Sequence, residues 1–240
     1  MTAASTTSPH PMVVTVDGPA GSGKSTLGHR LAHALGLPLI DTGLLYRGVT
    51  VAAVRSGVDA SDPFTAAALA ARTTIAINTD ADAPAGAWAV TVDGTEATAE
   101  ARDPRNATLL AELSRLPEVR AVLLQRQRDM ARGGAVAVGR DCGTVVFPDA
   151  PVKFFLEASA HVRAERRAAQ LRSAGTSVDA AALEAEIAGR DAVDTQRAVS
   201  PLRPASDAHI IDTGSLGIDE MVEEALRVCR QAGLGAGARE

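Results

Sequence analysis

The residues Gly18-Pro19-Ala20-Gly21-Ser22-Gly23-Lys24-Ser25-Thr26 carry the plainest chemistry in this chain. They satisfy the pattern G-x-x-x-x-G-K-[ST], with Gly18, Gly23, Lys24 and Ser25 at its fixed places. Glycines let the backbone curl until several N–H groups point at one anion, and a following helix adds the positive end of its dipole. Lys24 supplies a full charge to the β and γ phosphates of a nucleotide, and the Ser25 hydroxyl is placed to ligate Mg²⁺. Lys24 and Lys153 are the two lysines of an otherwise arginine-rich sequence, so lysine at this place is not compositional drift.

Three further clusters combine arginine with aspartate: Asp41-Thr42-Gly43-Leu44-Leu45-Tyr46-Arg47, Gly139-Arg140-Asp141-Cys142-Gly143, and Arg190-Asp191-Ala192-Val193-Asp194-Thr195-Gln196-Arg197. Arginine binds phosphate oxygens through a planar fork, so such clusters suit a second phosphorylated ligand. Taken singly, Arg47, Arg120 and Arg197 read equally well as solvated helix-face residues, Asp41 and Asp141 as helix caps, and Arg190 with Asp194 as a surface i,i+4 pair. Their joint occurrence beside a phosphate loop favours a site.

These groups need a scaffold. Val13 to Val16 is a β-branched run that reads as a buried strand, and Leu27, Leu31 and Leu35 recur at helical spacing up to Gly36. Leu37 to Ile40 is a second strand ending at Asp41; Thr42 is placed to cap a helix stopped by Ser56-Gly57, and residues 64–72 form an Ala-rich helix. Residues 74–77 and 87–92 alternate around an Asp93-Gly94 turn, which predicts a small antiparallel insertion. Helices interrupted at Pro117 follow over 104–131. Strands over 135–138, 152–156 and 209–212 alternate with helices over 160–172, to Ala188, and over 217–231. Short strands separated by helices imply a parallel sheet covered on both faces.

The chain of 240 residues can bury a full core, and its net charge of −5 with few aromatics argues against a general nucleic-acid binder. No stretch has the apolar length of a membrane span, and the first residues lack the pattern of a secretory signal. Cys142 and Cys229 lie far apart and give no disulfide framework, which fits a reducing cytoplasm. Cys142 reads as a small buried apolar residue. His29 and His33, at i and i+4, lack a third ligand and read as surface.

With those motifs in view, the chain resembles the bacterial cytidylate kinase family of nucleoside monophosphate kinases from residue 12 to about 230. The resemblance rests on VDGPAGSGKST, DTGLLYR, GRDCGTVVFPDAPVKFFL, RDAVDTQR with AVSPLRPASDA, and IDTGSL. It implies an α/β P-loop fold and phosphoryl transfer from ATP, with Mg²⁺, to CMP or dCMP. It also implies a division into a tail (1–11), a core (12–41, 132–160 and 196–231), an acceptor-binding region with its insertion (42–131), a lid region (161–195) and a flexible tail (232–240). Lys24, Arg140, Arg190 and Arg197 take catalytic roles in that comparison, and residues 18–26 bind ATP. Arg47 and Arg140 hold the acceptor phosphate, Arg120 and Asp141 read the cytosine edge, and Arg190, Asp194 and Arg197 serve the sugar, the acceptor and the transferred group. Asp41 and Thr42 line the acceptor site, while Arg166 and Arg167 fall in the lid. The family's partners are small nucleotides, and its members imply a monomer in the cytoplasm.

The sequence departs from the family at one place: where the family carries a base-contacting serine six residues before the proline of its x-P-x-V-R segment, this chain has Ala111. The expectation is either a raised KM for CMP or substitution by a neighbour such as Ser114. Two enzyme readings and one binding reading compete: a kinase for UMP, AMP or a small hydroxylated metabolite, a GTPase switch, and a non-catalytic nucleotide sensor. A GTPase requires an Asn-Lys-x-Asp motif that neither lysine supplies, and a sensor for ATP alone has no use for an acceptor site.

Overall fold

A computed structural model describes residues 12–59, 61–78, 87–173, 175, 178–197 and 199–235. The expected tail over 1–11 and the last five residues of the C-terminal one lie outside these.

Five strands form one parallel sheet: β1 (Val13–Asp17), β2 (Leu39–Asp41), β6 (Ala135–Val138), β7 (Val152–Glu157) and β8 (His209–Asp212), in the order β2-β6-β1-β7-β8. β1 is central, with Val16 opposite Val138 on one side and Phe154 on the other. Every residue of β1 and β6 is buried, the signature of a sheet covered on both faces. On one face α1 (Lys24–Leu35) and α9 (Ile218–Gln231) pack Leu27, Leu31, Met221 and Ala225 against Val14, Val16 and Phe154. β1 leads through α1 to β2 on one side of the sheet and β7 leads to β8 on the other, so the connections diverge between β1 and β7, and open α/β sheets bind ligands at the carboxyl ends of strands at such a point.

The acceptor-binding region has its own core. The helices α2 (Thr42–Ser56), α3 (Pro63–Arg72), α4 (Thr98–Arg102), α5 (Ala107–Leu113) and α6 (Pro117–Met130) enclose Leu45, Val49, Leu69, Leu113, Val119 and Leu123. A three-stranded antiparallel sheet of β3 (Ile75–Asn78), β4 (Ala89–Val92) and β5 (Thr95–Glu96) completes it. Asp93 and Gly94, both at positive φ (50° and 78°), make the tight turn between β4 and β5.

Two local expectations need correction, and two elements lacked a sequence signal. Thr42 is not the cap of α2; Asp41 is, its carboxylate accepting from Gly43 N at 3.0 Å, while the buried Thr42 hydroxyl donates to Val138 O at 3.0 Å. Carboxylate and hydroxyl compete for the orphan N–H groups, and Thr42 has a better acceptor in the neighbouring strand. The helix expected to end at Ala188 instead continues through Gly189, so that α8 (Ala180–Thr195) carries Arg190, Asp191 and Asp194 on its last turns. A mid-helix glycine costs only about 1 kcal/mol, which packing on α7 (Ala160–Ser173) and the ion pairs described below offset. The short helix α4 had no clear sequence signal. Neither did the wide turn over Cys142–Val146, which follows β6 with i→i+5 hydrogen bonds such as Val146 N to Asp141 O at 3.2 Å.

Candidate active site

The phosphate loop leaves the carboxyl end of β1 and enters α1. Gly18 sits at φ +143°, and a Cβ there would come 2.3 Å from the Leu156 carbonyl oxygen, so the loop can lie against β7 only without a side chain. Gly23, at the N-cap of α1, offers no side-chain acceptor, which leaves the first N–H groups of the helix for an anion. The Ser22 hydroxyl is buried with no hydrogen-bond partner. Lys24 is 6% exposed, and its ammonium donates to Pro19 O across the loop. Burial, then the nearby Arg140, push its pKa well below the ordinary lysine value, with Asp41 and Asp17 pulling the other way. A phosphate in this cradle would supply the missing counter-charge.

Asp17 ties this loop to the strand beside it. Its carboxylate accepts from Cys142 N at 2.9 Å and Gly143 N at 2.7 Å, fixing the turn that carries Arg140 and Asp141. Burial raises its pKa to about 6 in spite of those two bonds. Gly139 permits the approach of the next element, because a Cβ there would fall 2.5 Å from Thr42 Oγ1 and 2.6 Å from Cys142 Sγ. Cys142 is fully buried and its thiol is pushed well up by that burial, as suits a packing residue and not a nucleophile.

Cations gather around Asp194 and Asp41. Asp194 bridges two of them: its carboxylate accepts from Arg140 Nε at 3.4 Å and pairs with Arg197 Nη2 at 2.6 Å. The Arg197 Nε is buried and has no partner. Arg47 donates to Ala101 O at 2.6 Å, and its charge is felt alongside those of Arg190, Arg102 and Arg140, with Asp41 as the opposing carboxylate. Burial holds both Arg47 and Arg197 below the usual arginine range. Several guanidinium groups sharing two carboxylates form a field that a dianion would satisfy.

Beside this cluster Arg120 and Asp141 form an ion pair whose side chains are 13% and 10% exposed. Arg120 also donates to Ser114 O at 3.1 Å and lies 5.6 Å from the centre of the Tyr46 ring. The pair presents a donor and an acceptor side by side, one residue from Arg140.

A family model described as cytidylate kinase matches residues 14–231. The chain belongs to the cytidylate kinase family. Similar proteins include a cytidylate kinase of Pelotomaculum thermopropionicum, 43% identical over 95% of this chain and 97% of its own. One of Vibrio cholerae is 45% identical over 92% and 96%, and one of Nocardia farcinica 43% identical over 92% and 94%.

Of the residues singled out in this cytidylate kinase family member from sequence, Lys24, Asp41, Arg47, Arg140, Asp194 and Arg197 are linked by mutual charge interactions, which Arg190 joins through Arg47, and Arg120 and Asp141 through Arg197. Thr42 is buried against Gly139, its hydroxyl donating to Val138 O. Arg166 instead donates to Thr213 Oγ1 at 3.2 Å and to Thr213 O, next to the phosphate loop, and the exposed Arg167 donates to Gln170 at 3.4 Å. Ser25, the second residue of α1, is exposed. Among the described residues no group of three or more His, Cys, Asp and Glu is placed to hold a metal.

Three residues that sequence reasoning did not single out are built into the site: Asp17, Tyr46 and Arg163. Asp17 had a signal, a carboxylate closing an otherwise apolar strand directly before the loop. Tyr46 adjoins Arg47 in a cluster already noted. Arg163 was masked by its neighbours Arg166 and Arg167, although Ala164 and Ala168 mark the buried face of α7 beside it.

Proposed function

We propose that this chain transfers the γ-phosphoryl group of ATP to CMP or dCMP, giving ADP and CDP or dCDP. The observation that carries the choice of base is the Arg120–Asp141 pair. A carboxylate accepts from the exocyclic amino group of cytosine, which uracil replaces with a carbonyl. The neighbouring guanidinium donates to the ring acceptors of the same edge. The activity also agrees with family membership and with the cytidylate kinase relatives that span nearly the whole chain.

The chemistry needs no general base, because a nucleoside monophosphate is mostly a dianion at neutral pH. It needs in-line placement and enough positive charge to let two anionic phosphates meet. In this reading the backbone of residues 18–26 cradles the ATP phosphates, Lys24 follows the γ-phosphoryl group, and Arg47 with Arg140 holds the acceptor phosphate. Arg190 and Arg197 stabilise the charge spread over the transferred group, Asp194 orients Arg140 and Arg197 and meets the sugar, and Asp41 and Thr42 line the acceptor site.

Mg²⁺ fits the residues present. It keeps most of its water and binds chiefly through substrate phosphates, so one exposed hydroxyl at a helix N-terminus, that of Ser25, is a sufficient protein ligand. Bound there, it would neutralise charge on the ATP phosphates.

The region over 42–131, with a core of its own, closes over the acceptor, and the segment over 161–195 acts as the lid, excluding water that would otherwise accept the phosphoryl group. The protein works as a monomer in the cytoplasm, where its free cysteines Cys142 and Cys229 remain reduced. The test is ADP production from ATP and Mg²⁺ with CMP, dCMP, UMP, AMP or no acceptor. Turnover confined to CMP and dCMP supports the assignment, whereas equal turnover of UMP removes the role given to Asp141.

A further inference from the structure

The donor loop and the acceptor-side arginines sit on different elements, and one buried side chain spans them. Arg163, on the first turn of α7, is 3% exposed. Its Nε donates to Ala158 O at 3.0 Å, and its Nη1 donates to Ala20 O of the phosphate loop at 3.0 Å. The same guanidinium forks onto Asp191 of α8, Nη1 to Oδ1 at 3.2 Å and Nη2 to Oδ2. Gly21 of the loop, at φ +79°, lies beside the Arg163 stem, and a Cβ there would make ordinary contact with it at 3.4 Å. Asp191 in turn adjoins Arg190 and precedes by three residues the Asp194 that pairs with Arg140 and Arg197.

We propose that the Arg163–Asp191 pair is a positioning device that sets the last turns of α8, and with them Arg190, Asp194 and Arg197, against the phosphate loop. The inference rests on the phosphotransfer reading above. In this proposal Arg163 is a positioning residue, acting through Asp191 and the Ala20 carbonyl of the loop. A planar fork suits the task because it engages both carboxylate oxygens and a loop carbonyl at once, so that rotation or sliding of α8 breaks bonds at both ends. A misplacement of about 1 Å at groups that align phosphates costs on the order of a hundredfold in rate.

The decisive variant is Asp191→Asn, which leaves Arg163 its two carbonyl contacts and removes the charged link to α8. The neutral pair Arg163→Met/Asp191→Leu guards against failure from an unpaired buried charge. For each, kcat and KM for CMP are measured, together with ATP affinity by equilibrium binding without acceptor. Both variants are expected to lose about 10- to 100-fold in kcat/KM for CMP, with ATP affinity of Asp191→Asn within about twofold of the parent. Arg163→Lys, which keeps the charge but not the fork, is expected to recover only part of the loss. Unchanged CMP kinetics in folded variants would overturn the proposal, as would a loss confined to ATP affinity. Absence of CMP-dependent turnover in the parent protein would instead sink the phosphotransfer reading itself.

Discussion

Asp141→Asn tests the reading of the base at atomic detail. In the free protein Arg120 Nη2 donates to Asp141 Oδ2, which leaves Oδ1 for the base. An asparagine at 141 must offer its single oxygen to Arg120, so its amide nitrogen turns toward the base. Cytosine then meets donor against donor, and uracil O4 meets a donor. Loss of the charge-assisted bond to cytosine costs about 1.5–3 kcal/mol, and a new neutral bond to uracil returns about 1 kcal/mol. Together these move the ratio of kcat/KM for CMP over UMP by about 2.5–4 kcal/mol, a factor of roughly 10² to 10³. The substitution also strips the counter-charge from a guanidinium that is 13% exposed. Breaking a buried pair costs about 3–5 kcal/mol; the remaining bond to Ser114 O and the nearby Tyr46 ring place this case at the low end.

The assay is steady-state ADP release at saturating ATP with each acceptor, for parent and variant, accompanied by denaturant unfolding. A CMP/UMP ratio that shifts by less than threefold in a folded variant would refute the orientation argument, and with it the claim that Arg120 fixes which face of residue 141 the base meets.

Lys24→Met is expected to lower kcat by about 10² to 10³, the cost of one donor at developing charge, with CMP affinity by equilibrium titration unchanged. Ala111→Ser should lower KM for CMP several-fold, about 1 kcal/mol; the Ser114 hydroxyl of the same segment donates to Ala111 O at 3.0 Å. An unaltered KM would show that residue 111 does not face the base. Asp17 titrates near 3.8 in the unfolded chain and at about 6 in the fold, so the folded state binds more protons between those values. The stability it contributes is full below pH 3.8 and is lost as pH rises to 6, a change of about 3 kcal/mol. Urea unfolding of the parent and of Asp17→Asn should therefore diverge across that window; parallel pH profiles would contradict the burial of an ionisable Asp17.

Much of this architecture is legible in the residues because the relevant signals are local. The short β-branched run at Val13–Val16 and the Ala-Val run at Ala135–Val138 read as strands covered on both faces, and the Asp93-Gly94 turn marks the antiparallel insertion. The phosphate loop is a contiguous motif whose backbone geometry follows from its glycines. What escaped is non-local. Asp17 and Cys142 are joined by a hydrogen bond across two strands, and nothing in either neighbourhood announces the partner. Arg163 is buried by elements on both of its sides, while its sequence neighbours Arg166 and Arg167 look the same in a one-dimensional reading. The continuation of α8 through Gly189 likewise depends on tertiary contacts that outweigh local propensity. The cation cluster as a whole was foreseeable from composition and motif; the way Asp194 is shared between Arg140 and Arg197 was not.

The most direct test of the central claim follows the phosphoryl group itself. ATP labelled in its γ-phosphate is incubated with the protein, Mg²⁺ and CMP, and the products are separated by anion exchange. Label in the β-phosphate of CDP, in step with ADP formation and absent when UMP replaces CMP, is the predicted result. Label released as inorganic phosphate at a rate indifferent to CMP would contradict the account.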